Sequence, residues 1–542
     1  MNDKVTAVVA ACAQRGFCYV RRSADNRVVL SGPLRLGSIS HECELELDPG
    51  FMELPRVRLL NVPAALRPIA PHVSSTGGLC YIAKGTVVLD IFDPVGQTIA
   101  CIDRAEEVLG CVLAGTMVAD LEEEFFAYWG SERVWCMLDS SSRSTAHQQS
   151  FLAQTETHCF AVVTDDPERT KRKMKLIGWP IEWTSVPTYR IRTTAKPRPN
   201  TGKWPPRCVR DILNWQGILD RRCRKKIQQR ISDAIRAKAS GVLILIESPL
   251  MTYSFAVNFT RKQTSIGLHQ RSPSTSEIFE FPVIPMSVIR LDDDYMAERN
   301  IPGKKTLAGK NIALVGCGTI GGYLAEMLVK AGGGTRGGTL TLVDPDSLFP
   351  QNVGRHRLGF ACLFQKKATA LRTELLYGAP GASIRALPVK IQDAQLSKLD
   401  FLVDATGEEA LGHWIAKEFH NSVPQLHVWI EGAGVAVRGL FKESKTQACF
   451  RCLTSLEKGG QYRSVEGEVP LIQAGQGCEG LYVPFPAFIS VQAASLGAEM
   501  TLDWANGTHE PALRTRVVDS GFKLATPDCN LMAQPECPAC AH

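Results

Sequence analysis

The stretch Lys310–Gly332, "KNIALVGCGTIGGYLAEMLVKAG", decides the fold. A short apolar run reads as a buried strand, three glycines follow, and apolar residues then recur at helical spacing. Gly316, Gly318 and Gly321 form G-x-G-x-x-G between strand and helix. The first turns the chain, the second admits backbone N–H groups to a phosphate, and the third packs helix on strand. The next strand, "GTLTLVDPD" at 338–346, ends at Asp344, where a carboxylate can hold a ribose hydroxyl. "KLDFLVDATGE" (398–408) and "HVWIEGAG" (427–434) are further apolar strands that end in glycine turns. Strand–helix alternation of this kind predicts a doubly wound α/β sheet.

A chain of 542 residues predicts two to four domains, and 44% hydrophobic with 21% charged residues is the composition of soluble globular protein. No apolar run reaches the length of a membrane span, and "MNDKVTAVVAACAQRG" lacks the layout of a secretory signal, so a cytoplasmic location is expected. A net charge of +6 makes no case for nucleic acid, and the basic run "LDRRCRKKIQQR" (219–230) reads as a solvated helix face. Eighteen cysteines in a reducing compartment are buried, metal-bound or catalytic rather than disulfide-bonded.

After the second strand come "VDPDSLFPQNVGRHRLG" (343–359) and "FQKKATAL" (364–371). Together with the glycine turn they resemble the adenylation domain of ubiquitin-activating enzymes and their bacterial ThiF/MoeB relatives. The resemblance implies ATP as substrate. Asp344 and Asp346 match the acidic pair, with Asp344 on the ribose. Asn352, Arg355 and Lys367 match the residues that face the phosphates, with Lys366 as the alternative register, and Arg355 is expected to take part in catalysis. Fixed positive charge there suits attack of a carboxylate on an α-phosphate. Relatives carry D-x-T-D after the fourth strand to help bind Mg²⁺, whereas this chain reads Asp404-Ala-Thr-Gly407, leaving Asp404 or Glu408 for that role. Arg299 resembles the arginine that relatives lend to a partner subunit, and a homodimer follows from the resemblance alone.

Cys449-Phe-Arg-Cys452 and Cys537-Pro-Ala-Cys540 are two C-x-x-C pairs. Each offers two thiolates to one ion, which predicts a closed, structural Zn²⁺ site, with a redox disulfide as the alternative for either pair alone. Cys478, in "CEGLYVPF", resembles the cysteine of the family's loop ahead of a proline turn and a long helix. A thiol flanked by glycines can attack an acyl-adenylate if its thiolate is accessible.

The first segment alternates strands and polar turns ("NRVVLSGPLRLG", "HECELELDPG", "LPRVRLLNVP"), reaches "HVSSTGGLC" at 72–80, and turns helical in "DPVGQTIACIDRAEEVLGCVLAG" and "VADLEEEFFAYWG". This predicts an α+β domain. It resembles a bacterial ubiquitin-conjugating domain, with His72 and Cys80 as its histidine and acyl-accepting cysteine. The asparagine that follows the histidine in eukaryotic relatives is absent, so oxyanion stabilisation is expected from Ser74, Ser75, Thr76 or nearby N–H groups. Cys101 and Cys111, at core spacing on a helix, are expected to be structural.

Three domains are therefore expected: a ubiquitin-conjugating-like one at 1–143, an α/β middle domain at 151–300, and the adenylation domain with its zinc at 301–542. The middle has strands ("GVLILIES", "SFAVNFTRK") but no G-x-G-x-x-G, and reads as a scaffold or a degenerate copy of a neighbouring domain. Fusion in this order resembles the proteins of bacterial CBASS anti-phage operons. That resemblance implies an inactive adenylation-like scaffold in the middle, activation of the C-terminal tail of a cGAS-like nucleotidyltransferase, a thioester relay from Cys478 to Cys80, and transfer to an amine of a target protein. The rival readings are a ThiF/MoeB-like adenylyltransferase acting on a ubiquitin-like or sulfur-carrier protein, a Rossmann oxidoreductase, and a non-catalytic scaffold.

Overall fold

The computed structural model describes residues 3–130, 132–138, 147–154, 159–179, 181–182, 186–200, 203–259, 275–475 and 482–541. The chain packs into two units. One holds Met1–Val134, Thr145–Ser150 and Thr184–Ile289, and the other holds Trp135–Ser144, Phe151–Trp183 and Arg290–His542. The stretch expected as a middle domain at 151–300 is thus divided between them.

The first unit begins with a helix, Asp3–Gln14, which the sequence reading did not assign. Its Val5, Val8 and Cys12 recur every three or four residues and are buried. A meander follows in chain order: Cys18–Arg22, Val28–Leu36, Ile39–Leu47, Arg56–Leu59 and Gly78–Leu79, each antiparallel to the last. The helix Pro94–Leu113, capped by Asp93 on the N–H of Gly96 at 2.8 Å, buries Cys101, Ile102, Ala105 and Leu109 in this core. Cys101 is thus structural, and Cys111 on the same helix is half-buried. "VADLEEEFFAYWG" is not one helix. A 3₁₀ turn, Val118–Leu121, and a short helix, Phe125–Trp129, are separated by Glu122–Glu124, and Asp120 of the turn and Glu124 reach His72.

Phe125 and Trp129 enter an aromatic cluster with Trp204, Trp215 and Tyr253, with ring centroids 5.1 to 5.9 Å apart. Trp129 Nε1 donates to the Ser254 carbonyl at 2.7 Å. The strands Thr188–Arg192, Gly241–Glu247, Thr252–Asn258 and Val283–Arg290 back this cluster, the first pair parallel and the rest antiparallel. The basic run lies on the helix Arg221–Arg236, which buries Cys223, Ile227, Ile231 and Ala234 and exposes Arg221, Arg222, Arg224, Lys225 and Lys226.

The second unit is built on a seven-stranded sheet in the order Ile384–Leu387, Leu340–Val343, Ile312–Val315, Phe401–Asp404, Gln425–Glu431, Ala436–Lys442, Leu513–Val517. The first five strands are parallel and the last two join antiparallel. Alternate residues serve opposite faces. Ile312 and Leu314 join the core beneath the helices Thr319–Lys330 and Ala487–Asn506, while Ala313 and Val315 join the one containing Ile415. Both faces are covered, as a doubly wound sheet requires. Among the described residues no helix is long and apolar enough to cross a membrane.

Candidate active site

A cavity of about 830 Å³ opens at the carboxyl ends of the parallel strands, where the strand order reverses. Gly316, Gly318, Asp344, Asp346, Arg355 and Lys367 all line it. Gly316 has φ +87°, and a Cβ on Gly321 would lie 1.8 Å from the Gly316 carbonyl oxygen. Glycine is therefore required at both positions, whereas a Cβ on Gly318 would meet only open space.

Asp344 is buried, which raises its pKa, and its two oxygens accept the N–H groups of Cys317 at 2.7 Å and Asp346 at 2.8 Å. It braces the turn as well as facing the cavity. Lys367 Nζ lies 3.0 Å from Asp346 Oδ2. Lys366 instead donates to the Pro345 carbonyl at 2.7 Å, so of the two lysines it is Lys367 that lines the cavity.

Three expected residues are placed differently. Asn352 accepts the Phe349 N–H at 3.1 Å at the start of a short helix and does not line the cavity. Asp404 is buried beneath the cavity, outside its lining. Its Oδ1 accepts the N–H and hydroxyl of Thr406 at 3.0 and 2.7 Å, and its Oδ2 lies 2.9 Å from His427 Nδ1. Both oxygens are spent on the fold. Gly407 does line the cavity, at φ +69°, a left-handed position that favours glycine. Arg355 lines it too, but Nη1 donates to the Val483 carbonyl at 2.7 Å, and the guanidinium lies 4.3 Å from the Phe485 ring centroid and 5.2 Å from that of Tyr482.

Sequence reading missed Lys390, Gln392 and Trp414, which also line the cavity. It also missed His356. This buried imidazole donates Nε2–H to the Cys317 carbonyl at 2.9 Å and accepts the Leu358 N–H on Nδ1 at 3.0 Å. Burial pushes its pKa down to about 4, so it stays neutral and locks the glycine turn.

Cys478 lies outside the described residues. The segment containing it is flanked by Ala474 and Tyr482, whose backbones exchange two hydrogen bonds of 2.9 Å.

The sulfurs of Cys449, Cys452, Cys537 and Cys540 lie within 4.8 Å of one another, with nearest separations of 3.4 to 3.7 Å. Tetrahedral thiolate coordination at about 2.3 Å needs sulfurs about 3.8 Å apart, so the four cysteines fit one metal ion. The sulfur of Cys452 is held toward the thiolate by hydrogen bonds from Cys449 and from the Gln534 N–H, the latter at 3.4 Å.

In the first unit Cys80 is exposed, at the end of the shortest strand. Its N–H donates to the His72 carbonyl at 2.8 Å, and His72 sits at φ +60°. The imidazole is held by acids: Nε2 is 2.9 Å from Asp120, and Nδ1 is 2.7 Å from Glu124 at an angle too poor for a hydrogen bond. Glu124 also accepts the His72 N–H at 2.9 Å and the Tyr128 hydroxyl at 3.0 Å. His72 is thus joined to Cys80 through the backbone and to two acids through its ring. Partial burial, with Glu124 adding to it, raises the Cys80 pKa, so the group rests as a thiol. In the turn between them, Ser74 N–H bonds to Gly78 O, Gly77 N–H to Ser74 O, and Gly78 N–H to Ser74 Oγ. Those donors are consumed, and the Ser74 and Thr76 hydroxyls pair with each other at 3.1 Å, which leaves the exposed hydroxyl of Ser75 without a partner among the described residues.

Comparison with known proteins matches residues 294–539 to the ThiF family and residues 17–137 to Prokaryotic E2 family B. The chain is 53% identical over 542 residues to the ATP-dependent ubiquitin transferase-like protein Cap2 of Pseudomonas aeruginosa (strain BWHPSA011 / Pa011), covering 99% of this chain and 98% of that one. The protein of the same name from Escherichia coli (strain TW11681) is 26% identical over 603 residues, covering 99% of each. Among solved structures, E. coli MccB with ATP aligns with 43% of this chain and 66% of its own, at 16% identity and a TM-score of 0.33.

Proposed function

Because the chain belongs to the family of ATP-dependent ubiquitin transferase-like proteins, we propose that it activates a protein C-terminus with ATP, carries the acyl group on two cysteines and joins it to an amine. One observation carries this reading: the glycine turn, Asp344, Asp346 and the cations Lys367 and Lys390 meet in a single cavity.

The donor carboxylate attacks the α-phosphorus of ATP, the bond to the β-phosphate oxygen breaks, and pyrophosphate leaves an acyl-adenylate. Lys367 and Lys390 offset the charge that develops on the phosphoryl oxygens, and Asp344 holds the ribose. Mg²⁺, when bound, adds positive charge there, and Asp346 and Glu408 are cavity carboxylates able to hold it. The Cys478 thiolate attacks the acyl carbon and expels AMP, its proton having passed to solvent. The Cys80 thiolate then takes the acyl group and Cys478 regains a proton. The amine of a target protein attacks the Cys80 thioester, an amide forms, and the thiol returns. The four-cysteine cluster holds Zn²⁺ as a closed structural site.

The donor in this reading is the tail of a cGAS-like nucleotidyltransferase in anti-phage defence. A ubiquitin-like or sulfur-carrier donor is the second reading. The exposed Cys80 favours the relay, since adenylation alone does not use it. The stretch 151–300 serves as scaffold, and the exposed Arg299 reaches a second subunit in a homodimer. ATP–pyrophosphate exchange that depends on the added donor protein tests the activation step. Absence of exchange with every donor offered would overturn it.

A further inference from the structure

A second cavity, of about 390 Å³, is lined by Gln351, Gly354, Tyr482, Pro484 and Pro486 together with Arg355 and Phe485. The last two also line the larger cavity, so they form the wall between the pockets. The smaller pocket offers two aromatic rings, two prolines and one amide, and among the described residues no acidic side chain. Its mostly apolar lining suits one or two side chains. Arg355 has no carboxylate partner among the described residues, its Nε is buried with no acceptor, and burial lowers its pKa. A desolvated guanidinium with no anion beside it is costly until an anion arrives.

The adenylating reaction brings one anion that is followed by side chains, the C-terminus of the donor. Resting on that reading, we infer that the smaller cavity is a side-chain subsite for an aromatic or large aliphatic residue near the end of the donor chain. Arg355 is the positioning residue on the shared wall, turning the terminal carboxylate into the larger cavity. A tail of small residues alone leaves the subsite empty and binds less well.

Gly354 allows a direct test, because its backbone is helical (φ −61°, ψ −17°) and an added Cβ meets nothing within 4 Å. ATP–pyrophosphate exchange is measured with synthetic peptides ending in a free carboxylate. They consist of glycine, serine and alanine, except for one phenylalanine moved stepwise through the positions before the last residue, and the C-terminal amides serve as controls. One position is expected to raise kcat/KM about ten-fold over the all-small peptide. Gly354→Leu cuts that gain to less than about two-fold, with Gly354→Ala between, and Arg355→Ala raises KM for the peptide about ten-fold. Equal exchange from every free-carboxylate peptide, a gain that survives Gly354→Leu, or an Arg355→Ala effect confined to ATP overturns the subsite. No exchange from any peptide, or equal exchange from the amides, overturns the adenylation reading and the subsite with it.

Discussion

The backbone N–H of Cys80 donates to the carbonyl of His72 at 2.8 Å, and the same histidine is gripped through its side chain by Asp120 and Glu124. The residue that resembles a catalytic histidine is therefore joined to the cysteine through the backbone. His72→Ala removes the grip and is expected to cost about 1–3 kcal/mol of stability in the first unit. Chemical denaturation reads this, and thioester yield on Cys80 falls with it. An unchanged midpoint would show that the acids do not hold the loop.

Glu124 adds to the burial that raises the Cys80 pKa. Replacing it with glutamine removes a negative charge that opposes thiolate formation, so the pKa falls and the thiolate fraction at neutral pH rises. Iodoacetamide should then alkylate Cys80 faster in Glu124→Gln than in the unmodified chain. An equal or slower rate would contradict the electrostatic account.

His356 carries a pH signature. Its folded pKa of about 4 lies below the ordinary 6.5, so between these values the unfolded chain binds a proton that the folded chain refuses. The stabilisation is complete above pH 6.5 and drains away as pH falls toward 4, a loss of about 3 kcal/mol. His356→Gln should flatten that part of the stability–pH curve, as urea unfolding at a series of pH values would show.

The four-cysteine cluster predicts about one zinc ion per chain by elemental analysis. Cys452→Ser is expected to lose the metal and lower the melting temperature of the second unit. A chelator should reproduce that shift in the unmodified chain, as closed structural sites contribute to folding. Full metal content in Cys452→Ser would remove the assignment.

The doubly wound sheet was legible because Ile312–Val315 is apolar on both faces and the glycine turn follows at once. Gly316, Asp344 and Lys367 were legible because local motifs place the first two at strand ends and the third at a helix start. Lys390 and Trp414 were not, since they reach the cavity from segments without a motif, brought in by the sheet order alone. Motif reading also sent Asp404 to the nucleotide, whereas a histidine 23 residues on claims one of its oxygens. His72 shows the same limit, because its acidic partners lie 48 and 52 residues away on a segment that read as a plain helix.

The thioester relay is the central claim, and one gel tests it most directly. The chain is incubated with ATP and a purified cGAS-like nucleotidyltransferase, then run with and without reductant. The account predicts a thiol-sensitive adduct on Cys80 that vanishes in Cys478→Ala. Cys80 charged as fully in Cys478→Ala as in the unmodified chain would contradict it.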